Sequence, residues 1–306
     1  MEPRVVLSIL NWETPELTCR CLQGALALEG VEPWILVVDN GSRDDSVARL
    51  RAFVQGQANP RLRLIESPVN LGYAGGNNLA IRHALAELDP HFIWILNSDT
   101  LPRPDALRHL LAAARSRPEV AIWGSTLLDA TGQRLELAGG CHYHPCLSLH
   151  REALAGLPLA ELPKARLPRP LDYVAGAAML VRADCFRRHG LLNEEYFLFF
   201  EELDLVRRVG RERIAWCPAA QVLHLGGASM KKRAGLSPLA EYHANLSALR
   251  YTWRHHRHCF PFMALFRLGA KSLQHLPPRR WPLYRPLWRA YWDFFRPKRR
   301  SARSAP

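Results

Sequence analysis

Apolar and polar stretches alternate regularly over the first 123 residues of the chain. The clearest apolar stretch covers residues 92–96, where five consecutive large side chains predict a strand buried on both faces. Asn97, Ser98 and Asp99 follow directly, so the strand is predicted to end there. Similar stretches predict further strands at residues 5–10, 34–38, 61–65 and 120–123.

Helix signals lie between these predicted strands. Thr14 as N-cap and Pro15 at the first helical position predict a helix that runs to about residue 28. Further helices are predicted to begin near residue 44, to follow the polar segment 70–78, and to cover residues 105–115. Strand and helix therefore alternate, which predicts an α/β fold with a mostly parallel, doubly wound sheet flanked by helices.

The periodicity is weaker after residue 123. Frequent prolines in residues 124–170 predict a loop or excursion, and the pattern resumes with a strand pair or bent strand at 171–181. A helix is predicted to stop at Gly210, and a hairpin or paired strands follow over 213–225. We expect a domain over residues 1–250, with a nucleotide-binding half at 1–123 and an acceptor or catalytic half at 171–250, and a helical appendage at 251–306.

The net charge of +13 is confined to the end of the chain. Residues 250–306 contain 14 Lys and Arg against a single acid, Asp293, whereas residues 1–249 contain 27 basic and 27 acidic residues. Aromatic residues interleave with these cations, which is typical of a segment that lies on an anionic membrane surface. The alternative is a helical hairpin packed on the domain, with a disordered end from residue 296.

The seven cysteines predict no disulfide framework. Their count is odd and their spacings match no known pattern, so we expect a reducing compartment. Residues 141–146 contain Cys and His at a spacing that resembles half of a zinc site, but no second pair of ligands follows at zinc-site spacing. A variable loop is therefore preferred over a zinc site. Residues 1–10 do not form a signal peptide, and no run of about 18 apolar residues predicts a membrane span. We expect a cytoplasmic protein, peripheral at the inner face of the cytoplasmic membrane.

Polar loops follow the predicted strands at one edge of the sheet. They carry Asn11, Asp39, residues 70–78 and residues 97–99. Ligands of open α/β sheets bind at this edge, and a carboxylate such as Asp99 suits a divalent cation that holds phosphate oxygens. Taken alone, Asp99 would more simply cap a helix or turn. Four polar loops at one edge together favour a binding site.

Glycines are concentrated in residues 72–76, ahead of a predicted helix. Their backbone N–H groups could approach a phosphate at the helix N-terminus. The segment is not a dinucleotide fingerprint, because Asn11, Trp12 and Glu13 follow the first strand without a glycine. It is not a P-loop either, and a tight turn is the simpler interpretation.

Three acids stand at the start of the predicted helix that stops at Gly210: Glu201, Glu202 and Asp204. Acids at a helix start gain from the helix dipole, which is a sufficient reason for their presence. Aromatic residues precede them, however, and a carboxylate at an apolar helix mouth has its pKa pushed upward, as a general base needs. His224, followed by two glycines at another strand end, is a candidate second contact to a metal or phosphate.

Seven short segments, in this order and spacing, resemble glycosyltransferase family 2 and in particular its rhamnosyltransferase-like branch. The resemblance covers roughly residues 4–250. The segments are residues 5–11, 37–42, 70–77, 96–99, 176–179, 200–205 and 224–227.

The resemblance implies a GT-A fold and a role for each matching residue. Asp39 would read a pyrimidine base, and Asp99 would hold Mg²⁺ or Mn²⁺ on the donor diphosphate with help from His224. Glu202 would deprotonate the acceptor hydroxyl, in a catalytic set with Glu201 and Asp204. The implied nucleotide-binding residues are Asn11, Glu13, Asp39, Asn40, Ser42, Asn70, Gly72, Gly75, Asn77 and Asn97. Two positions depart from the family pattern: the first motif keeps one acid, and Glu202 replaces the commoner Asp.

The implied reaction moves a sugar from a nucleotide-diphosphate donor, of the dTDP-rhamnose or UDP-sugar type, to a polysaccharide or lipid-linked glycan. It is a single displacement that inverts the anomeric carbon, with proton removal by the base and a metal on the leaving diphosphate. The expected partners are the donor, the glycan or lipid-linked acceptor, and an anionic membrane surface bound through residues 251–306. Nucleic acid is not expected, and a homodimer is left open.

Three alternatives remain at this point. A nucleotidyltransferase would need a basic glycine-rich loop after the first strand, which Asn11, Trp12 and Glu13 do not provide. A nucleic-acid-binding protein would use the basic tail, but the neutral first 249 residues argue against it. A non-catalytic nucleotide-sugar binder is kept open by the single acid at Asp99.

Overall fold

The computed structural model describes residues 3–226 and 237–296, which divide into two compact units. The first unit comprises the described residues up to 143 together with 150–197 and 201–226. The second unit comprises residues 144–149, 198–200 and 237–296. The basic run at residues 231–233, which the sequence predicts to be a loop, lies outside the described residues, as does the end of the chain from residue 297.

The first unit is built on a nine-stranded sheet and a smaller three-stranded one. In the large sheet the strands run in the order β3-β2-β1-β4-β11-β6-β12-β5, and β7 pairs with β6; in the small sheet they run β10-β8-β9. The strands are β1 Val5–Asn11, β2 Trp34–Asn40, β3 Leu62–Ser67, β4 Phe92–Asn97, β5 Thr100–Pro102, β6 Ile122–Leu128, β7 Leu135–Ala138, β8 Gly140–His144, β9 Leu149–Glu152, β10 Tyr173–Val174, β11 Ala178–Arg182 and β12 Ile214–His224.

Helices follow most of these strands. In the first unit they are α1 Pro15–Leu26, α2 Ser46–Gln57, α3 Gly72–His83, α4 Ala106–Ser116, α5 Ala183–His189 and α6 Glu201–Val209. A π-helical turn, Ala84–Leu88, extends α3. In the second unit they are α7 Pro238–His255, α8 Phe260–Gln274 and α9 Tyr284–Phe295. Short 3-10 turns cover Leu159–Lys164, Arg211–Arg213, Arg257–Cys259 and Pro278–Leu283.

The predicted fold class is confirmed. Strands β1 to β4 run parallel to one another, β11 pairs with β4 in the antiparallel direction, and the five apolar residues of β4 are all buried. Such double-sided burial is why these strands appear in the sequence as continuous apolar runs instead of alternating ones. The parallel arrangement brings the carboxyl ends of β1, β2 and β4 to one edge of the sheet.

Two predictions about the middle of the chain are wrong. Residues 124–170 are not a structureless excursion, because they contain the rest of β6 and three further strands. Polar Ser125 and Thr126 are buried here because β6 has paired neighbours, so the apolar pattern fades although the strand continues. Residues 213–225 form the single strand β12 and not a hairpin, since a register shift between Cys217 and Gln221 accommodates Pro218.

The expectation that no disulfide forms is also wrong. Cys146 and Cys259 form a disulfide within the second unit, across a sequence separation of 113 residues. Such a pair is brought together by tertiary structure, so cysteine spacing could not reveal it. Cys141, the other cysteine of the metal-like run, is buried and unoxidised.

The second unit has its own apolar core. Leu249, Phe260, Met263, Leu287 and Tyr291 pack together from all three helices. Within the described ranges, 3–226 and 237–296, no helix combines the length and apolar character needed to cross a bilayer.

A fully buried acid, Glu241, joins the helices of the second unit. Its carboxylate contacts Lys271 Nζ and His275 Nε2, each at 3.1 Å, and accepts from the Asn245 amide at 2.8 Å. Burial alone would raise the pKa of Glu241, but Lys271 and these hydrogen bonds outweigh it and lower the pKa. The pairing explains how a charged residue can occupy a helix–helix contact.

Candidate active site

The ends of β1 and β2 place Asn11 and Asp39 side by side, in direct register. The Asn11 amide donates to one Asp39 carboxylate oxygen at 2.8 Å and to Ser42 Oγ at 3.2 Å. The Ser42 backbone N–H donates to the other Asp39 oxygen at 3.0 Å, and Asp39 is fully buried. Protein donors therefore fix both oxygens of the predicted base-reading carboxylate in place.

Asn40 and Asn70 brace the loop that leads into α3. The Asn40 amide donates to Asn70 Oδ1 at 3.1 Å and to the Gly72 carbonyl at 3.0 Å. Asn70 Oδ1 also accepts from the Gly72 backbone N–H at 2.8 Å. These side chains shape the predicted nucleotide loop, and a direct contact with a ligand remains a prediction.

The glycine-rich segment is the first turn of α3 and not a loop ahead of it. Gly72 has a φ of 75°, and a Cβ there would lie 2.2 Å from the Phe197 carbonyl oxygen. A Cβ on Gly75 would meet Leu71, and one on Gly76 would meet Leu10. The glycines are thus required for close packing of the helix, which is a different reason from the phosphate cradle predicted for Gly72 and Gly75.

Asn77, another predicted nucleotide contact, is engaged inside the protein. It is fully buried, with its Oδ1 accepting from Ser8 Oγ at 2.9 Å and its amide donating to the Tyr73 carbonyl at 3.0 Å. Both ends of the amide are therefore used to join α3 to β1. A contact between Asn77 and the nucleotide stays a prediction.

Two other predicted nucleotide contacts, Glu13 and Asn97, differ in their surroundings. Glu13 has an exposed side chain and a backbone φ of 53°, and its N–H donates to Ser42 Oγ at 3.0 Å. Asn97 lies at the end of β4, where its Oδ1 is buried and has no hydrogen-bond partner among residues 3–226 and 237–296. An orphaned acceptor at this edge suits a ligand hydroxyl or N–H.

Asp99 and His224 are brought together by the pairing of β5 with β12. His224 pairs with Thr100 across the two strands, and its Nε2 lies 3.2 Å from Asp99 Oδ2. Its Nδ1 lies 2.7 Å from Glu136 Oε2. A Cβ on Gly226 would lie 2.2 Å from Asp99 Oδ2, so only glycine fits beside this carboxylate.

The His224 ring is held between two carboxylates. Burial would lower its pKa, but the hydrogen bonds and charges of Asp99 and Glu136 outweigh burial and raise the pKa to about 10. At neutral pH the ring is therefore an imidazolium that donates from both nitrogens. In this arrangement it neutralises part of the negative charge at the strand ends.

Glu201 and Glu202 begin α6 as a buried carboxyl pair. Glu201 Oε2 and Glu202 Oε2 are buried and have no hydrogen-bond partner among the residues that the structure describes. Burial, followed by the charge of Glu202, raises the pKa of Glu201 well above its usual range, and burial raises the pKa of Glu202. Burial therefore favours the protonated form of both carboxyl groups, and of Glu201 most strongly.

Tyr73, which sequence reasoning did not single out, links the two groups of acids. It is half-buried, and its hydroxyl donates to the Gly176 carbonyl at 2.8 Å. Burial and then the charges of Glu201, Glu202 and Asp99 raise its pKa well above the usual value. The charges of all three carboxylates therefore act on this one phenol.

The backbone before Glu201 is strained. Phe199 and Phe200 have φ values of 66° and 74°, a conformation that side chains of this size rarely adopt. The second unit holds the segment in place, because Ser247 Oγ donates to the Leu198 carbonyl at 2.9 Å and the Tyr251 ring lies 5.4 Å from that of Phe200. The geometry of the first turn of α6 depends on this segment through the peptide bond to Glu201.

Asp204 is not brought together with the other predicted catalytic acids. Its carboxylate is buried and pairs with Arg208 Nε at 2.8 Å. Arg208 in turn donates to the carbonyls of His189, Gly190 and Leu191. The third acid therefore anchors the loop that precedes α6, one helical turn along from Glu201.

Comparisons with known proteins agree with this geometry. Residues 5–136, which hold Asn11, Asp39, Asp99 and Glu136, match the sequence profile of glycosyl transferase family 2. These residues belong to glycosyltransferase family 2.

Two curated proteins are similar to this chain. It is 30% identical over 200 residues to the low-salt glycan biosynthesis hexosyltransferase Agl10 of Haloferax volcanii, which covers 64% of this chain and 60% of that protein. It is 28% identical over 216 residues to the N-acetylglucosaminyl-diphospho-decaprenol L-rhamnosyltransferase of Mycobacterium tuberculosis, which covers 62% of this chain and 66% of that protein. The chain thus spans less than two thirds of each relative.

A solved structure shows the fold over nearly the whole chain. The mannosyltransferase PcManGT from Pyrobaculum calidifontis, in complex with GDP-Man and Mn²⁺, matches with a TM-score of 0.54 and 16% identity. The match covers 96% of this chain and 88% of that one. The predicted GT-A fold is therefore confirmed.

The donor set at the strand ends fits a divalent cation in part. No group of three or more His, Cys, Asp and Glu residues is arranged for a metal within the described ranges. Asp99 offers a carboxylate of the kind that Mg²⁺ and Mn²⁺ take together with substrate phosphates. His224 would become a ligand only after its Nε2 loses the proton that it shares with Asp99.

Sequence reasoning missed Glu136 for an identifiable reason. The residue lies on β7, inside the stretch that was predicted to be a loop. The alternation of Leu135, Glu136 and Leu137 was the available signal, since it is the pattern of a half-buried strand. Three residues are too few to establish such a pattern without the neighbouring strand.

Proposed function

We propose that this chain is a nucleotide-sugar-dependent glycosyltransferase that acts in glycan biosynthesis. It transfers a sugar from a donor of the dTDP-rhamnose or UDP-sugar type to a polysaccharide or lipid-linked glycan, with inversion at the anomeric carbon. The reaction takes place at the inner face of the cytoplasmic membrane. The names of the two curated relatives, a hexosyltransferase and a rhamnosyltransferase, support the reaction class.

One observation carries the proposal. The braced Asn11–Asp39 pair, the Asp99–His224 pair and the buried Glu201–Glu202 pair all belong to one unit of GT-A topology. The first suits recognition of a nucleotide, the second suits a diphosphate with its cation, and the third suits proton transfer. The charges of Asp99, Glu201 and Glu202 all act on Tyr73, and the three pairs together supply the groups that a single displacement on a sugar requires.

Glu202 is the proposed general base. Its raised pKa brings proton affinity closer to neutral pH, where a base is most effective. Glu201, which holds a proton more tightly, keeps the pair from carrying two negative charges in a buried site. The acceptor hydroxyl gives its proton to Glu202 as its oxygen forms the new glycosidic bond and the bond to the nucleoside diphosphate breaks.

Asp99 would hold Mg²⁺ or Mn²⁺ at the strand ends. When bound, the cation supplies positive charge to the departing diphosphate. The protein's own contribution is His224, whose imidazolium lies directly beside Asp99 and adds a second positive group. Glu136 fixes the ring orientation from the other side.

A thermal-shift panel tests the donor site. UDP, dTDP, GDP and CDP are each compared with and without Mn²⁺. We expect Mn²⁺-dependent stabilisation by one pyrimidine nucleotide, because occupied sites stabilise the folded state. The Asp99→Ala variant should lose the Mn²⁺ dependence, and unchanged dependence would remove Asp99 from the cation site.

A second candidate function is a nucleotide-sugar binder without transfer activity. The observation that favours it is the single acid of the first motif, already engaged by His224. Incubation of the donor with candidate acceptors separates the two functions. The binder would be favoured if a nucleotide stabilises the chain while neither sugar transfer nor slow hydrolysis of the donor is detected.

A further inference from the structure

The second unit exposes an unusual amount of apolar surface. Of the fifteen large apolar side chains that are exposed in the described residues, ten lie between Trp253 and Phe295. Soluble monomers rarely leave large apolar patches in water, because their hydration is unfavourable. The concentration in one short segment indicates a binding surface.

Helix α8 is apolar on two opposite faces. Its inner face, with Phe260, Met263 and Ala264, packs into the core of the unit. Its outer face carries four exposed side chains. Because successive residues of an α-helix are rotated by about 100°, these four side chains lie within an arc of about 100° around the helix axis. They are Phe262, Leu265, Phe266 and Leu273.

Helix α9 repeats this arrangement with aromatic residues. Leu287, Ala290 and Tyr291 are buried on its inner face. Trp288, Trp292 and Phe295 follow one another at helical spacing on another face and are each more than half exposed. Trp281, in the preceding 3-10 turn, is exposed as well.

Cations border this surface. Arg279 and Arg285 are exposed, and the Arg296 guanidinium lies over the Trp292 ring at 4.0 Å from its centre. Asp293 is the single acid in residues 250–306, and it is already engaged by Tyr242 and Arg289. Exposed apolar side chains and exposed cations therefore occur together in this segment, with a single acid among them.

We propose that the outer faces of α8 and α9, with the turn at Trp281, form a surface that lies in the headgroup region of an anionic bilayer. Tryptophan and arginine suit this depth, since each has an apolar part and a polar or charged part. Anionic headgroups neutralise the unpaired guanidinium groups. A second copy of the chain would instead bring like charges together with few acids to compensate.

The proposal concerns the second unit alone and does not depend on sugar transfer. Its test is co-sedimentation of the full chain with vesicles, in the absence of any nucleotide or acceptor. One set of vesicles is zwitterionic phosphatidylcholine, and the other contains about one third phosphatidylglycerol. We expect binding to the anionic vesicles at least about tenfold tighter than to the zwitterionic ones, and weakened by salt.

Matched variants locate the surface. Trp288→Ala with Trp292→Ala, and separately Phe262→Ser with Phe266→Ser, should each weaken vesicle binding about tenfold or more. Leu149→Ser, at an exposed apolar position outside α8 and α9, is the control and should bind as the unaltered chain does. Circular dichroism and the melting temperature establish that each variant is folded.

Three results would overturn the proposal. One is the absence of binding to either kind of vesicle. Another is binding that the four aromatic substitutions leave unchanged, which would place the lipid contact elsewhere on the chain. The third is a dimer in solution, measured by light scattering, that these substitutions dissociate, because the surface would then be occupied by a second copy.

Discussion

The nucleotide edge and the carboxyl pair use polar residues in opposite ways. At the edge, both Asp39 oxygens accept hydrogen bonds from protein groups. At the start of α6, Glu201 and Glu202 each keep one buried carboxylate oxygen without a partner among the described residues. A satisfied group is fixed in position, whereas an unsatisfied one retains high proton affinity. Recognition benefits from the first property and proton transfer from the second.

Glu202→Gln should have the largest effect, because it removes the proposed base without changing the size of the side chain. We expect transfer to fall by about three orders of magnitude, with the affinity for the nucleotide unchanged. The measurement is single-turnover transfer together with nucleotide binding by calorimetry. Glu212→Gln, an exposed acid in the turn after α6, is the matched control. Full activity in Glu202→Gln would assign the base elsewhere.

Asp39→Asn tests the other side of the comparison. The new amide group must face one of the two donors, Asn11 Nδ2 or the Ser42 N–H, so the braced pair is broken. We expect nucleotide affinity to fall about tenfold to a hundredfold, with a lower melting temperature. Titration of the nucleotide measures this, and Asp45→Asn on the exposed side of the same loop serves as the control. Equal affinities would show that the brace is structural only.

Ser247→Ala asks whether the strained segment positions the carboxyl pair. Loss of the hydrogen bond to the Leu198 carbonyl should relax Phe199 and Phe200 toward ordinary backbone angles. We expect kcat to fall about three- to thirtyfold while KM for the donor stays constant, and Ser247→Thr to restore much of the loss. A uniform loss of stability with kcat intact would mean that Ser247 serves folding alone.

Glu201→Gln should have the smallest effect, and it depends on pH. The pKa of Glu201 is raised in the folded state, so its contribution to stability is full at low pH and is lost as pH rises through that pKa. At alkaline pH we therefore expect the variant to melt about 2–4 °C higher than the unaltered chain. At acidic pH we expect the two melting temperatures to be equal. Melting curves measured from about pH 5 to pH 9 test this. A pH-independent difference would argue against a buried, protonated Glu201.

The parts of the fold that the sequence predicts well are those with continuous apolar runs. The strands β1, β2 and β4 appear near the expected positions, because a strand buried on both faces gives a continuous apolar run in the sequence. Strands β6, β7 and β12 were predicted poorly. They carry buried polar residues, a proline or a single acid, and only pairing with neighbours makes them strands.

The candidate site also has residues whose position the sequence predicts and residues whose role it does not predict. Asn11, Asp39 and Asp99 follow clear strands, so their position at one edge could be inferred from the order of elements. The sequence could not distinguish Asn77 and Asp204, which are engaged inside the protein, from Glu202, which is not. All three are polar residues next to apolar ones in the sequence. Whether each is engaged inside the protein depends on hydrogen-bond partners that only the folded structure brings into contact.

The sequence by itself determined the α/β class, the order of the elements and the chemical nature of the residues at the strand ends. These depend on local periodicity and on chain direction, which are present in any short window of residues. Tertiary structure alone decided that His224 lies between Asp99 and Glu136, that Cys146 meets Cys259, and that α8 is apolar on its outer face. Each of these depends on contacts between distant segments, and no local pattern contains that information.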